Sequence, residues 1–75
     1  MPEPPLVSAT ESIRAFRRLG WVEDRQVGSH RILVKDGYPA VLSVPERREL
    51  PRGTLRALIR TAGITVSDFT RALRS

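Results

Sequence analysis

Gly28-Ser29-His30-Arg31-Ile32-Leu33-Val34-Lys35-Asp36-Gly37 is the stretch on which the fold turns. Val27-Gly28-Ser29 suits a tight connection, because glycine and serine favour turns for reasons of backbone freedom and local hydrogen bonding. His30 to Lys35 then alternates. Ile32 and Val34 fall on one face, and Arg31, Leu33 and Lys35 on the other, the period-two pattern of a strand. Asp36-Gly37 is a hairpin signal. Strands are therefore expected on both sides. Trp21 to Gln26 supplies a polar one upstream. Downstream, Pro39 weakens the start of the next run, and Ala40 to Val44 is predicted to form a third strand with Ala40, Leu42 and Val44 facing inward. The middle of the chain is thus a three-stranded antiparallel meander.

Helical periodicity flanks it. Ser8, with Glu11 three residues on, makes a capping box for a helix over Ala9–Leu19. Ala9, Ile13, Phe16 and Leu19 lie on one side of that helix, and Arg14, Arg17 and Arg18 on the other. Gly20 fits a C-terminal stop. After the polar loop from Pro45 to Gly53, Pro51 suits a first helical position. Leu55, Leu58, Ile59 and Ala62 then form an apolar stripe, ended by Gly63. Arg52, Arg56 and Arg60 recur on the opposite face. Thr65 and Asp68 mark a short closing helix over Val66–Arg74, with Phe69 and Leu73 buried. Residues 1–7, with three prolines and no period, are expected to be a flexible lead-in to one domain over residues 8–75. The order α-β-β-β-α, with a short extra C-terminal helix, makes an α+β fold. Its helices must cover one face of the sheet, since neither stripe can be buried alone. Double-stranded-RNA-binding domains share that order, which is a likeness of fold rather than of function.

Seventy-five residues allow one domain, which buries about 60% of the surface of its unfolded chain. The absence of cysteine excludes disulfides and thiolate metal sites, and a single histidine argues against structural zinc. No apolar run approaches the roughly 18 residues of a membrane span. Met1-Pro2-Glu3-Pro4-Pro5 lacks the apolar segment of a signal peptide, so the cytoplasm is the expected compartment. The formal charge is +5, and all the basic residues but Lys35 are arginine. The excess is concentrated after residue 44. Arginine pairs bidentately with phosphate and stacks on bases, which makes nucleic acid the first candidate partner. An arginine-favouring codon bias accounts for the composition equally well.

Catalytic groups are few. Acid–base chemistry near neutral pH falls to His30, because histidine is the side chain that titrates there unperturbed. In Gly28-Ser29-His30, glycine lets backbone approach a ligand and Ser29 could orient the ring or donate to an anion. Such a histidine can take the proton of a ribose 2′-OH, which then attacks the adjacent phosphorus while arginines hold the phosphate. This chemistry needs no metal and no cofactor. The plainer alternative is a histidine that begins a strand and fills space. Trp21 could stack on a base or anchor the core beside Gly20. Arg52, Arg56 and Arg60 could track a phosphate backbone or form a solvated face.

Taken in order, these pieces resemble the toxin of the HicA/HicB toxin–antitoxin family, the YcfA-like mRNA interferases. Arg18-Leu19-Gly20-Trp21 is similar to the exit of that family's opening helix, Gly28-Ser29-His30 with Ile32 to its strand entry, and Val44-Pro45 to its strand end. Glu49-Leu50-Pro51-Arg52-Gly53-Thr54-Leu55-Arg56 and Ala62-Gly63-Ile64-Thr65 resemble its most recognisable stretch, and Phe69 the aromatic of the closing helix. The likeness covers about residues 8–73. It implies a double-stranded-RNA-binding-domain-like fold, metal-independent cleavage of mRNA dependent on His30, and neutralisation by a cognate HicB-like antitoxin. Gly28 and Ser29 would shape the pocket, and Arg31, Arg52, Arg56 and Arg60 would hold RNA. The chain departs from the family twice: Arg31 and Arg47 stand where a further histidine is frequent. A non-catalytic double-stranded-RNA-binding module and a toxin-like interaction domain are the alternatives.

Overall fold

The computed structural model describes residues 3–75. Helix α1 (Ala9–Arg18) begins at Ser8, whose hydroxyl accepts from the Glu11 amide at 3.0 Å while the Glu11 carboxylate accepts from the Ser8 amide at 2.8 Å. Strands β1 (Val22–Val27), β2 (His30–Val34) and β3 (Leu42–Pro45) follow, then helices α2 (Arg52–Thr61) and α3 (Val66–Arg74). The sheet is antiparallel in the order β1-β2-β3. The α-β-β-β-α arrangement with an extra C-terminal helix is the one expected.

Val27 and His30 close the first hairpin around Gly28-Ser29. Gly28 has φ +59° and Ser29 has no positive φ, the pattern of a type II′ turn with glycine at its first central position. The second connection differs from the expected tight hairpin. Asp36-Gly37 does form a turn, closed by the Tyr38 amide on the Lys35 carbonyl at 3.0 Å, but strand pairing resumes only at Leu33 and Leu42. The intervening chain folds over Trp21 instead. Tyr38 meets the indole edge-on at a centroid distance of 5.4 Å, and Lys35 donates to the Leu19 carbonyl at 3.0 Å. Ala40 is therefore exposed and outside β3, contrary to expectation, while Leu42 and Val44 do face inward.

Leu33, Leu42 and Val44 present one sheet face to α1, α2 and α3, and Phe16, Leu55, Ile59 and Phe69 fill the space between. Phe16 and Phe69 meet at 5.1 Å with tilted planes, tying α1 to α3. Such a pair adds about 0.5–1.5 kcal/mol beyond area burial. α3 has the expected capping box, Thr65 with Asp68, although Ala72 is more deeply buried than Leu73. Pro51 is the N-cap of α2 rather than its first residue, and its carbonyl accepts from the Leu55 amide at 3.0 Å.

The lead-in also differs. Met1 and Pro2 lie outside the described residues, but Pro4 and Val7 are buried. The Leu50 amide donates to the Val7 carbonyl at 2.8 Å, and Arg52 Nε to the Pro4 carbonyl at 3.3 Å. Proline stiffness in this segment reduces the entropy lost when it packs. It lies as a strap along the start of α2.

Candidate active site

Strand alternation sorts β2 into two sets. Leu33 belongs to the core beneath the helices. His30 and Ile32 therefore project from the opposite, outer face. On β3, Ser43 lies between core residues Leu42 and Val44 and so shares that outer face. The register gives two adjacent rows: Val27, His30 and Pro45 in one, and Arg25, Ile32 and Ser43 in the next. A β-bulge at Asp24 separates Glu23, which pairs with Leu33, from Arg25, which pairs with Ile32. Without the extra residue, Glu23 and Arg25 would share the inner face. With it, Arg25 moves to the side of His30, a use of bulges common beside functional residues.

His30 is held on both sides. Its backbone pairs with Val27 and with Pro45, and the Glu46 amide donates to the Ser29 carbonyl at 2.7 Å, fastening the hairpin mouth to the end of β3. Its ring is exposed, with Nδ1 3.0 Å from the Ser43 hydroxyl oxygen. Nε2 makes no hydrogen bond among the described residues. A ring fixed at one nitrogen and open to solvent at the other suits proton transfer to a ligand lying on the sheet. Val22 and Val27 are exposed on this face, whereas Ile32 is only 7% exposed.

Arg31 points the other way. Its Nε and Nη2 donate to both carboxylate oxygens of Glu23 at 3.0 and 2.8 Å, and Nη1 lies 3.5 Å from Glu46. The hydrogen bonds from Arg31 hold the Glu23 carboxyl below its usual range, and Glu23 in turn raises the guanidinium above its own. Arg31 thus joins β1, β2 and the segment after β3, and lines a groove of about 480 Å³ with Ile13, Arg14, Arg17 and Arg18. Arg52, Arg56 and Arg60 belong to α2, on the helical side of the sheet. Arg52 and Arg60 are exposed and Arg56 is half-buried. Gly28 and Ser29 make the turn immediately before His30. Trp21 is 1% exposed, so it anchors the core and offers no face to a base.

Of the residues expected to work together, Gly28, Ser29 and His30 are contiguous, while Arg31 and the α2 arginines are directed elsewhere. The sequence does not single out Ser43, which lies beside the His30 ring, nor Arg25 and Glu23, which flank the bulge in β1. Ser43 was discoverable as the outward residue between Leu42 and Val44. Arg25 was not, because nothing in the sequence marks the bulge.

A family model for the HicA toxin of bacterial toxin–antitoxin systems matches residues 9–64, from the start of α1 to just beyond α2. The chain belongs to the HicA toxin family. No curated protein matches it. It is accordingly the toxin of a toxin–antitoxin pair, and family membership implies a cognate antitoxin. The toxin has no helix among its described residues that is long and apolar enough to cross a membrane.

Proposed function

We propose that this HicA toxin is an mRNA endoribonuclease in which His30 is the catalytic base. The observation that carries the reading is a lone histidine, anchored through its backbone and one ring nitrogen, on an otherwise open sheet face. An open face suits a polymer, which must lie across the site rather than enter a pocket. His30 Nε2 takes the proton of a ribose 2′-OH. The 2′-oxygen bonds to the adjacent phosphorus, the bond from phosphorus to the 5′-oxygen breaks, and water protonates the departing oxygen. The products are a 2′,3′-cyclic phosphate and a free 5′-OH. The nucleophile belongs to the substrate, so the step requires neither metal nor cofactor. Arg31 supports this chemistry as a clamp between strands. Arg52, Arg56 and Arg60 form a separate basic strip for phosphates away from the cleaved bond.

The antitoxin covers His30. Exposed Val22 and Val27 on the same face, and a net charge of +5, favour an acidic partner with an apolar centre. A lasting complex needs at least about 1,000 Å² of interface. Action on mRNA puts the toxin in the cytoplasm. The test is cleavage of RNA by the purified chain and by His30→Gln. Loss of cleavage by about 10²–10⁴-fold with unchanged folding is expected. Full activity in a folded His30→Gln protein refutes the assignment, and RNA binding without cleavage by the wild type points to the non-catalytic module.

A further inference from the structure

We propose that Ser43 is the positioning residue of His30, holding the ring through Nδ1 in the orientation in which, with Nδ1 protonated, Nε2 is the base; this rests on the ribonuclease reading above. The Ser43 hydroxyl oxygen is 3.0 Å from Nδ1. The two residues are diagonal neighbours across β2 and β3, since Ser43 pairs with Ile32, and such neighbours are about 7–8 Å apart at the backbone and within side-chain reach. A hydroxyl both donates and accepts. When it accepts from Nδ1–H, the unprotonated nitrogen is Nε2, which has no protein partner among the described residues. After Nε2 gains the substrate proton, Nδ1–H still donates to the same oxygen, so the ring keeps its orientation through the step. The reverse arrangement, with Ser43 donating to Nδ1, would leave Nε2 protonated and unable to act as a base. The strand after the Asp36-Gly37 turn thus supplies two restraints, the Glu46–Ser29 bond on the backbone and the Ser43 hydroxyl on the ring.

Ser43 is exposed, so its replacement leaves no cavity in the core. Ser43→Ala should lower single-turnover cleavage about tenfold, the worth of one neutral hydrogen bond. Ser43→Thr should restore it. Nitrogen-15 NMR of the imidazole should show Nδ1 protonated in the wild type, with a shift toward the Nε2-protonated form in Ser43→Ala. A wild type that cleaves no RNA refutes the ribonuclease reading. A wild type that cleaves, beside a Ser43→Ala protein equal to it in rate and tautomer, refutes the positioning role alone.

A second inference is carried independently by the bulge. We infer that Arg25 is the cation that meets the phosphate beside His30. Arg25 pairs with Ile32, so it is diagonal to His30 from the β1 side as Ser43 is from the β3 side. Its present partner is the neighbouring Asp24 carboxylate at 2.6 Å, in a pair whose side chains are about half exposed. Exposed pairs of this kind contribute little, so the guanidinium can exchange Asp24 for a phosphate that accepts two of its bonds. Binding of intact RNA to the His30→Gln protein isolates the contact from catalysis. Adding Arg25→Ala should weaken binding about tenfold and reduce the salt slope by about one, while Arg25→Lys recovers the slope. Affinity and slope unchanged by Arg25→Ala, with RNA still bound, overturn the inference.

Discussion

Replacing Arg31 by alanine separates a clamp from an RNA contact. Two of its nitrogens donate to Glu23 at 3.0 and 2.8 Å, and a third approaches Glu46 at 3.5 Å. Hydrogen bonds to charged groups contribute about 1.5–3 kcal/mol, and fully exposed ion pairs about 0–1 kcal/mol. The Arg31 side chain is 21% exposed, between those limits. Its removal also leaves two carboxylates without their shared cation. The expected cost is about 2 kcal/mol, which in a domain of this size lowers Tm by roughly 8–16 °C. Urea denaturation followed by circular dichroism at pH 7 measures the loss, and an unchanged m-value excludes an altered unfolded state. A double-mutant cycle with Glu23→Ala should return a coupling of about 1 kcal/mol or more. Arg25→Ala, which breaks an exposed pair, is the control and should stay within about 0.5 kcal/mol. At a temperature where the variant is folded, cleavage should remain within a few-fold of wild type. An Arg31→Ala protein as stable as wild type but deficient in RNA binding would refute the clamp and return Arg31 to the RNA interface.

Glu23 ionises below the usual carboxylate range because Arg31 donates to it. Its contribution is therefore complete above the unfolded pKa of about 4 and disappears as pH falls through the lower folded value, so Glu23→Gln should be less stable at pH 7 and lose less on acidification. Gly28→Ala places a Cβ with nothing within 4 Å, yet at φ +59°; strain alone should cost about 1–2 kcal/mol, and Gly28→Asn should cost less, both read by thermal denaturation. Reversing Arg52, Arg56 and Arg60 to glutamate should weaken many RNA sequences about equally in a salt titration, since backbone contacts carry no sequence information; equal binding at every salt concentration removes that strip from the interface.

Local chemistry made the helices legible. The Ser8–Glu11 and Thr65–Asp68 boxes are contacts over three residues, and each begins its helix at the expected position. The Gly28-Ser29 turn was equally local, as was the candidacy of His30, the only histidine. What depended on distant chain was not legible. Ala40 lost its place in the sheet because the preceding residues cover Trp21, and Pro4 to Val7 found partners in Leu50 and Arg52. Adjacency in sequence also misled: Arg31 follows His30 and for that reason points to the opposite face. Arg25 shares the outer face only because Asp24 shifts the register, and a bulge is fixed by the partner strand as much as by its own residues.

The pairing of Phe16 with Phe69 has a consequence in time. The cover for α1 is made roughly fifty residues after α1 itself, which at about 5–20 residues per second takes some 3–10 s. A nascent chain that ends within the sheet has a hairpin and one helix but no second layer to complete its core. His30 is thus synthesised well before the framework that holds it is finished. On the proposed ribonuclease reading, the order of elements sets a delay of seconds between the synthesis of His30 and the completion of the fold that holds it, and the antitoxin's search can take place within that interval.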